Sequence, residues 1–427
     1  MFLAPPAQVE QAPAPLALDI AGALSRAKVE NALVKAARAR IDERKGLITT
    51  VRADALPQLS MFNDFSRVRD VSILNSGIGD SIAQFGFTAE SLVAPRTAYT
   101  SRLDLTQPLY YWGKIGTAID IAEMGAKEAE ASYTTAELDV LHGVAKAYLG
   151  VLGAQADLEV LESRRKTAEQ FLADVKAKLE AQSATELDRL RAESEYLAVL
   201  PESLQAEASL KRAMEVLNGQ LGLDPRTPLR LSELAPADAQ PHGSPVERSE
   251  ITQFKLQEQV LRANDKILVS DLRPKFDFSS SYGYQAGRTS NLWKEPYDAW
   301  RVSITMKWPI LDGLRSAGKR AQNNAQLEQV RQARIDKDRS IAVERSSAER
   351  EMEKASALRE AARKAHDAGQ EALRVSRESF EQGLITSLDL LQAERTERQL
   401  ESQRRRADLG VWSALFEYRR ALGFPPL

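Results

Sequence analysis

The sequence predicts an α+β membrane protein: a duplicated strand-pair plus long antiparallel helices, with identical copies of the chain closing a shared β-barrel, twelve-stranded if trimeric, continuous with an α-helical barrel. Three observations carry this. The chain repeats itself at one constant offset, four short segments alternate between apolar and polar residues, and two proline-free stretches of helical periodicity are too long for a globule.

The repeat comes first because it organises everything else. At an offset of 201 residues Pro108 falls on Pro309, Lys114 on Arg315, Thr185 on Thr386, Leu187 on Leu388 and Asp188 on Asp389. Leu190, Ala192 and Glu193 fall on Leu391, Ala393 and Glu394, and Leu221 with Gly222 on Leu422 with Gly423. A single shift joining Pro, Thr, Asp and Gly landmarks makes the chain two copies of one unit. Residues 1–15 are read as an N-terminal extension, 16–223 as the first repeat, 224–245 as a Pro-rich linker and 246–427 as the second repeat.

Each copy opens with a helix, about 16–55 and about 251–272, ended by Pro57 and Pro274. Strands follow at about 57–66 and 97–109 in the first copy, and at about 274–286 and 299–310 in the second. Tyr99, Leu103 and Leu105 alternate with Arg102 and Asp104, and Trp300, Val302, Ile304, Met306 and Trp308 alternate with Arg301 and Lys307. Period two then gives way to spacings of three and four over about 111–181 and 313–382, as in Leu138, Leu141, Ala145, Tyr148 and Leu152. At 1.5 Å per residue such a helix is about 105 Å long. A second helix returns over about 185–221 or 386–422 and stops at Gly222 or Gly423, residues suited to a C-terminal cap.

Four strands separated by so much helix do not make a soluble sandwich. With Tyr99, Leu103, Leu105, Trp300, Val302, Ile304, Met306 and Trp308 toward lipid and Arg102, Asp104, Arg301 and Lys307 toward a watery lumen, they suit a transmembrane barrel. Four cannot close one. An open edge in lipid leaves unpaired backbone groups at several kcal/mol each, so identical neighbours are expected to complete the sheet.

Composition excludes the other classes. The formal net charge of −2, from 58 basic and 60 acidic residues, argues against a nucleic-acid binder. No cysteine is present and the three histidines are scattered, which leaves no thiolate or His-based metal site, no triad and no cofactor cradle. No apolar run is long enough for a membrane helix. The opening MFLAPPAQVEQAPAP lacks the basic and apolar regions of a secretory signal, so any such signal is expected to have been removed or never present.

The segment LTQPLYYWGK before a long helix, its echo MKWPILDGLR, the element ALPQLS entering a strand, and GLITSLDLLQAE at a helical turn resemble the TolC-type outer-membrane efflux proteins. The resemblance spans about Leu16 to Gly423. It implies a homotrimer in the outer membrane of a Gram-negative cell, held in outer-membrane lipid, with a helical extension into the periplasm. Such a protein is a passive exit duct of a tripartite efflux pump or type I secretion system, partnered by a periplasmic adaptor and an inner-membrane transporter. It is not an enzyme.

The resemblance also assigns residues. Ser183, Ala184 and Thr185, with Gly383, Leu384, Ile385 and Thr386, fall at the tip that meets the adaptor; Asp188, Asp389 and Gln392 fall at the pore entrance. Some members carry a second acid where Gln392 stands and a basic residue where Ile385 stands, so a double acidic ring with a basic latch is not matched here. The plainer reading of Thr185 and Thr386 is helix capping, and of Asp188 and Asp389 the favourable end of a helix dipole. SGIGDS at Ser76 and GRTSNLW near Gly287 read as extracellular loop tips, and Arg404–Arg406 as a solvated helical face. The competing expectation is a soluble periplasmic coiled-coil scaffold or adaptor without a pore.

Overall fold

The alternating segments form one antiparallel sheet in the computed structural model, which describes residues 15–69, 96–183, 185–235, 245–382, 384, 385 and 387–427, the side chains of 387, 388 and 391 excepted. In chain order the elements are β1 (Leu16–Leu18), α1 (Ile20–Glu30), α2 (Ala32–Ala53), β2 (Gln58–Val68), β3 (Arg96–Tyr110), α3 (Lys114–Glu180), α4 (Glu186–Gln220), β4 (Leu229–Leu231), α5 (Ser249–Ser270), β5 (Lys275–Ala286), β6 (Asp298–Lys307), α6 (Arg315–Glu381) and α7 (Ser387–Leu422). The two long helices are each 67 residues, and their returning partners are 35 and 36.

The chain forms two compact units, and each draws on both repeats. One holds Met1–Ile41, Glu128–Lys255 and Gln332–Leu427; the other holds Asp42–Lys127 and Leu256–Arg331. The sequence repeat is therefore not the packing unit.

In the second of these units the strand order is β2-β3-β5-β6, so the copies meet at the β3–β5 pair. Leu59, Met61 and Phe65 oppose Leu105, Leu103 and Tyr99. Leu103 and Leu105 in turn oppose Tyr282 and Ser280, which oppose Trp300 and Val302. One face is thus apolar across all four strands. The other carries the row Ser60, Asp104, Ser281, Arg301 and the row Phe62, Arg102, Gly283, Ala299. A Cβ on Gly283 would lie 2.2 Å from the Ser101 carbonyl oxygen and 2.4 Å from the Arg102 Cα, so this approach of β5 to β3 requires glycine. β2 and β6 are the edges, and neither pairs with a further strand among the described residues.

The strand expected to reach residue 310 ends at Lys307, because Pro309 has no N–H for a ladder. Trp308 therefore lies beyond β6, not within it, and donates through Nε1 to the Leu272 carbonyl at 3.2 Å. Trp112 makes a similar bond to the Pro274 carbonyl at 2.7 Å.

In the other unit the core gathers Val144, Ala145, Tyr148, Leu149, Val151 and Leu152 of α3 with Ala23, Ala27, Leu217, Leu221, Leu229 and Phe416. Tyr148 is fully buried, and its hydroxyl donates toward the carbonyls of Ser232 at 2.7 Å and Leu18 at 3.2 Å. Those carbonyls lie at the end of a small parallel pair, Leu16–Leu18 on Leu229–Leu231, Ser232 being the residue after the second strand. This corrects two expectations: residues 16–55 are a strand and two helices rather than one helix, and the linker 224–245 contains a strand. Asn31 makes the helical break. Its backbone is extended, its Oδ1 accepts from Leu33 N at 2.8 Å, and its Nδ2 donates to the Gln220 carbonyl at 2.8 Å. A buried asparagine that satisfies its neighbours this way replaces the helical bonds it interrupts.

Gly222 and Gly423 occupy the left-handed region, φ +69° and +90°. Leu223 N bonds to Asn218 O and Phe424 N to Arg419 O, both at 2.9 Å, the six-to-one bond of a Schellman cap at the same place in each copy.

Candidate functional site

Two regions carry the residues singled out by sequence. On the apolar side of the sheet, Trp300 is 73% exposed and Ile304 67%, with Val302, Met306 and Leu103 also exposed. Tyr99 and Leu105 are half-buried, Tyr99 lying 4.9 Å from the Phe65 ring. An exposed apolar surface of this kind marks a place where lipid or another protein is met. Among the described residues no helix is long and apolar enough to cross a membrane.

The opposite face holds a groove of about 510 Å³ lined by Ser60, Arg102, Asp104, Ser281 and Arg301. Arg102 pairs with Asp104 at 3.0 Å and lies 4.5 Å over the Phe62 ring. Where β5 begins, cations and aromatics interleave: Arg273 over Trp112 at 4.9 Å and Lys275 over Tyr111 at 5.8 Å. The Tyr111 hydroxyl donates to Asp277 at 2.6 Å, and that bond, with burial, pushes its pKa up to about 12. Burial alone would raise the Asp271 carboxyl. Bonds from Lys114 at 2.7 Å and Lys275 at 2.8 Å outweigh it and hold the group below the usual range. Indole and phenol rings with one polar tip are the side chains that settle at a membrane boundary.

The second region is the pair of helical turns. After α3, Gln182 takes φ +58°, and Ser183 N bonds back to Lys178 O at 2.8 Å. Leu384 N bonds to Ser379 O at 2.8 Å in the same place after α6. Leu384 is exposed and Ile385 half-buried. Ala184, Gly383 and Thr386 lie outside the described residues, as does the Ser76 loop. Thr185 caps α4 in a capping box: its Oγ1 accepts from Asp188 N at 3.2 Å, and its N–H donates to Asp188 Oδ2 at 3.0 Å. The Thr185 hydroxyl also bonds Asp188 Oδ2 at 2.6 Å. These bonds, the hydroxyl first, hold the Asp188 carboxyl below the usual range. Asp188 is thus engaged in its own cap; Asp389 lies in the first turn of α7.

Gln392, one turn further on, borders a groove of about 590 Å³ with Arg164, Thr167, Phe171, Arg395 and Arg398. Sequence reading missed Arg189, which bridges Glu186 at 2.6 Å and Glu193 at 2.7 Å beside the first turn. The signal was present as opposite charges three and four residues apart. Arg404, Arg405 and Arg406 are paired with Asp408, Glu401 and Glu159, and Asp157.

Strands apolar on one side and polar on the other, joined twice to helices of 67 residues, are an unusual combination. A family model described as outer membrane efflux protein matches residues 23–223 and 245–423, one segment in each repeat. The chain belongs to the outer membrane efflux protein family. That family is one of transport ducts rather than enzymes, and it makes the chain an outer-membrane protein. Outer membrane protein TolC of Vibrio cholerae is 25% identical over 52% of this chain and 53% of its own length. Pyoverdine export outer membrane protein OpmQ of Pseudomonas aeruginosa is 24% identical over 72% and 64%. The chain therefore spans little more than half of the first relative and under two thirds of the second. Solved structures agree on the fold. The CmeC outer membrane channel of Campylobacter jejuni has a TM-score of 0.82 at 12% identity, covering 95% of this chain and 85% of that one. The open MtrE outer membrane channel of Neisseria gonorrhoeae has 0.77 at 19%, covering 95% and 89%. The architecture is accordingly the α+β fold of outer-membrane channels.

Proposed function

We propose that the chain is a passive outer-membrane exit duct of a tripartite efflux pump or type I secretion system, built from three copies. The observation that carries this is the four-stranded sheet with a lipid-suited face, a polar face and two edges, β2 and β6, without partners among the described residues. Unpaired strand edges are not tolerated in hydrocarbon, and joining β2 of one copy to β6 of the next satisfies both. Three copies give twelve strands. Relatives named for pyoverdine export and for alkaline protease secretion support the export reading.

In this reading the turns at Ser183–Thr185 and Gly383–Thr386 meet a periplasmic adaptor that links the duct to an inner-membrane transporter. Asp188 and Asp389 line the entrance and favour cations. No bound cofactor and no catalytic step are involved.

Native mass spectrometry from detergent micelles, with planar-bilayer recording on the same sample, tests the proposal. A trimer that conducts is expected, with Asp389→Ala lowering its cation preference. A monodisperse monomer that needs no detergent and conducts nothing would instead identify a soluble scaffold.

A further inference from the structure

On the polar face of the sheet the register collects five cations, Arg96, Arg102, Lys275, Arg301 and Lys307, against three carboxylates, Asp64, Asp104 and Asp277. Among these groups Asp104 is paired with Arg102 at 3.0 Å, Asp277 accepts from the Tyr111 hydroxyl at 2.6 Å, and Lys275 is paired with Asp271 at 2.8 Å. Arg301 and Lys307 are exposed and make no ion pair among the described residues. Lys307 stands directly opposite Lys275 in the β5–β6 ladder. Like charges at facing positions of an antiparallel pair are destabilising. The neighbouring row on the same face pairs Asp277 with Thr305.

We infer that this wall is an anion-attracting collar, which favours anionic solutes or acidic groups on a cargo over cations as they pass. The inference rests on the duct reading, in which the polar face lines the lumen. Each chain contributes a surplus of positive charge on one side of the sheet, and a closed barrel repeats that surplus around its circumference. A cleft lined by one sign of charge between low-dielectric walls raises the local concentration of counter-ions. The range is about 10 Å at 0.1 M salt and about 3 Å at 1 M, so the preference fades as salt rises. Its sign is opposite to that of an acidic entrance, and the two contributions separate by substitution.

The test measures the chloride-to-potassium permeability ratio of the full-length protein in planar bilayers under a potassium chloride gradient at low mean salt. Replacing both free cations, Arg301→Gln with Lys307→Gln, is expected to lower the ratio by about two-fold or more, and the effect is expected to shrink at 1 M salt, where screening is short-ranged. The charge-conserving pair Arg301→Lys with Lys307→Arg is expected to keep the wild-type ratio, and trimer mass and unitary conductance report that each variant assembles. A ratio unmoved by the double Gln substitution in an assembled, conducting trimer overturns the collar and leaves the duct standing. Wild-type protein that conducts nothing overturns both.

Discussion

The two long helices are copies of equal length with opposite characters. α3 contains two arginines and α6 contains eleven. On α3 the patch His142, Ala145, Tyr148 and Leu149 is buried. The residues 201 positions later are Val343, Ser346, Glu349 and Arg350, all exposed. One copy has kept a core-forming face that covers β1, β4 and α1, and the other has turned the same face to solvent. Duplication conserved the geometry of the helix and left its chemistry free to diverge.

The strongest way to break this comparison is to truncate matched positions. Tyr148→Ala removes a fully buried ring and the hydroxyl that donates to the Ser232 carbonyl, so a loss of about 3–5 kcal/mol is expected. Glu349→Ala, its exposed counterpart, is expected to change stability by less than about 0.5 kcal/mol. Thermal unfolding in detergent measures both, and equal shifts would contradict the asymmetry.

A second difference titrates. His142 is 2% exposed and donates Nε2–H to the Phe424 carbonyl at 2.8 Å, while its counterpart Val343 cannot ionise. Burial, which dominates over the nearby Asp139, Lys146 and Arg420 charges, pushes the imidazole down to about 4. The folded value lies below the unfolded one, so the ring's contribution is complete above about pH 6.5 and is lost as pH falls toward 4. At about 1.4 kcal/mol per unit, that amounts to about 3 kcal/mol across the window. The unfolding midpoint is expected to fall between pH 7.5 and 4.5 in wild type and to fall less in His142→Gln. Identical pH slopes would remove His142 as the cause.

The smallest effect sits at the turns. Gln182 adopts φ +58° where the second copy carries Gly383 in sequence. Left-handed backbone costs a residue with a Cβ roughly 1–2 kcal/mol, part of which glycine's unfolded-state freedom returns. Gln182→Gly is thus expected to stabilise by about 0.5–1 kcal/mol, read as a rise in chemical denaturation midpoint; a fall would mean that the side chain is needed there.

Much of this was legible from residue order alone. Strand alternation displayed both faces of the sheet because period two survives in Leu103, Leu105, Trp300 and Val302 regardless of partners. The three-four spacing of Leu141, Ala145, Tyr148 and Leu152 marked the buried stripe of α3. Helix stops were visible at Gly222 and Gly423 because only positive φ closes that cap. What stayed hidden depended on distant partners. β1 and β4 have three residues each and are strands only because they find each other across the fold. The break at Asn31 needs the last turn of α4 to receive its amide. Of the residues proposed for the entrance, Asp188 could be placed at a helix start from sequence, but its capture by Thr185 is a matter of geometry.

The equal span of α3 and α6 carries an evolutionary consequence. Inserting one residue in either would rotate everything downstream by about 100° and advance it about 1.5 Å. Substitutions can drift independently in the two halves of the gene, as the arginines have done, but insertions and deletions in these segments are admissible only in multiples that restore phase, or in concert. Length, more than identity, is the inherited character.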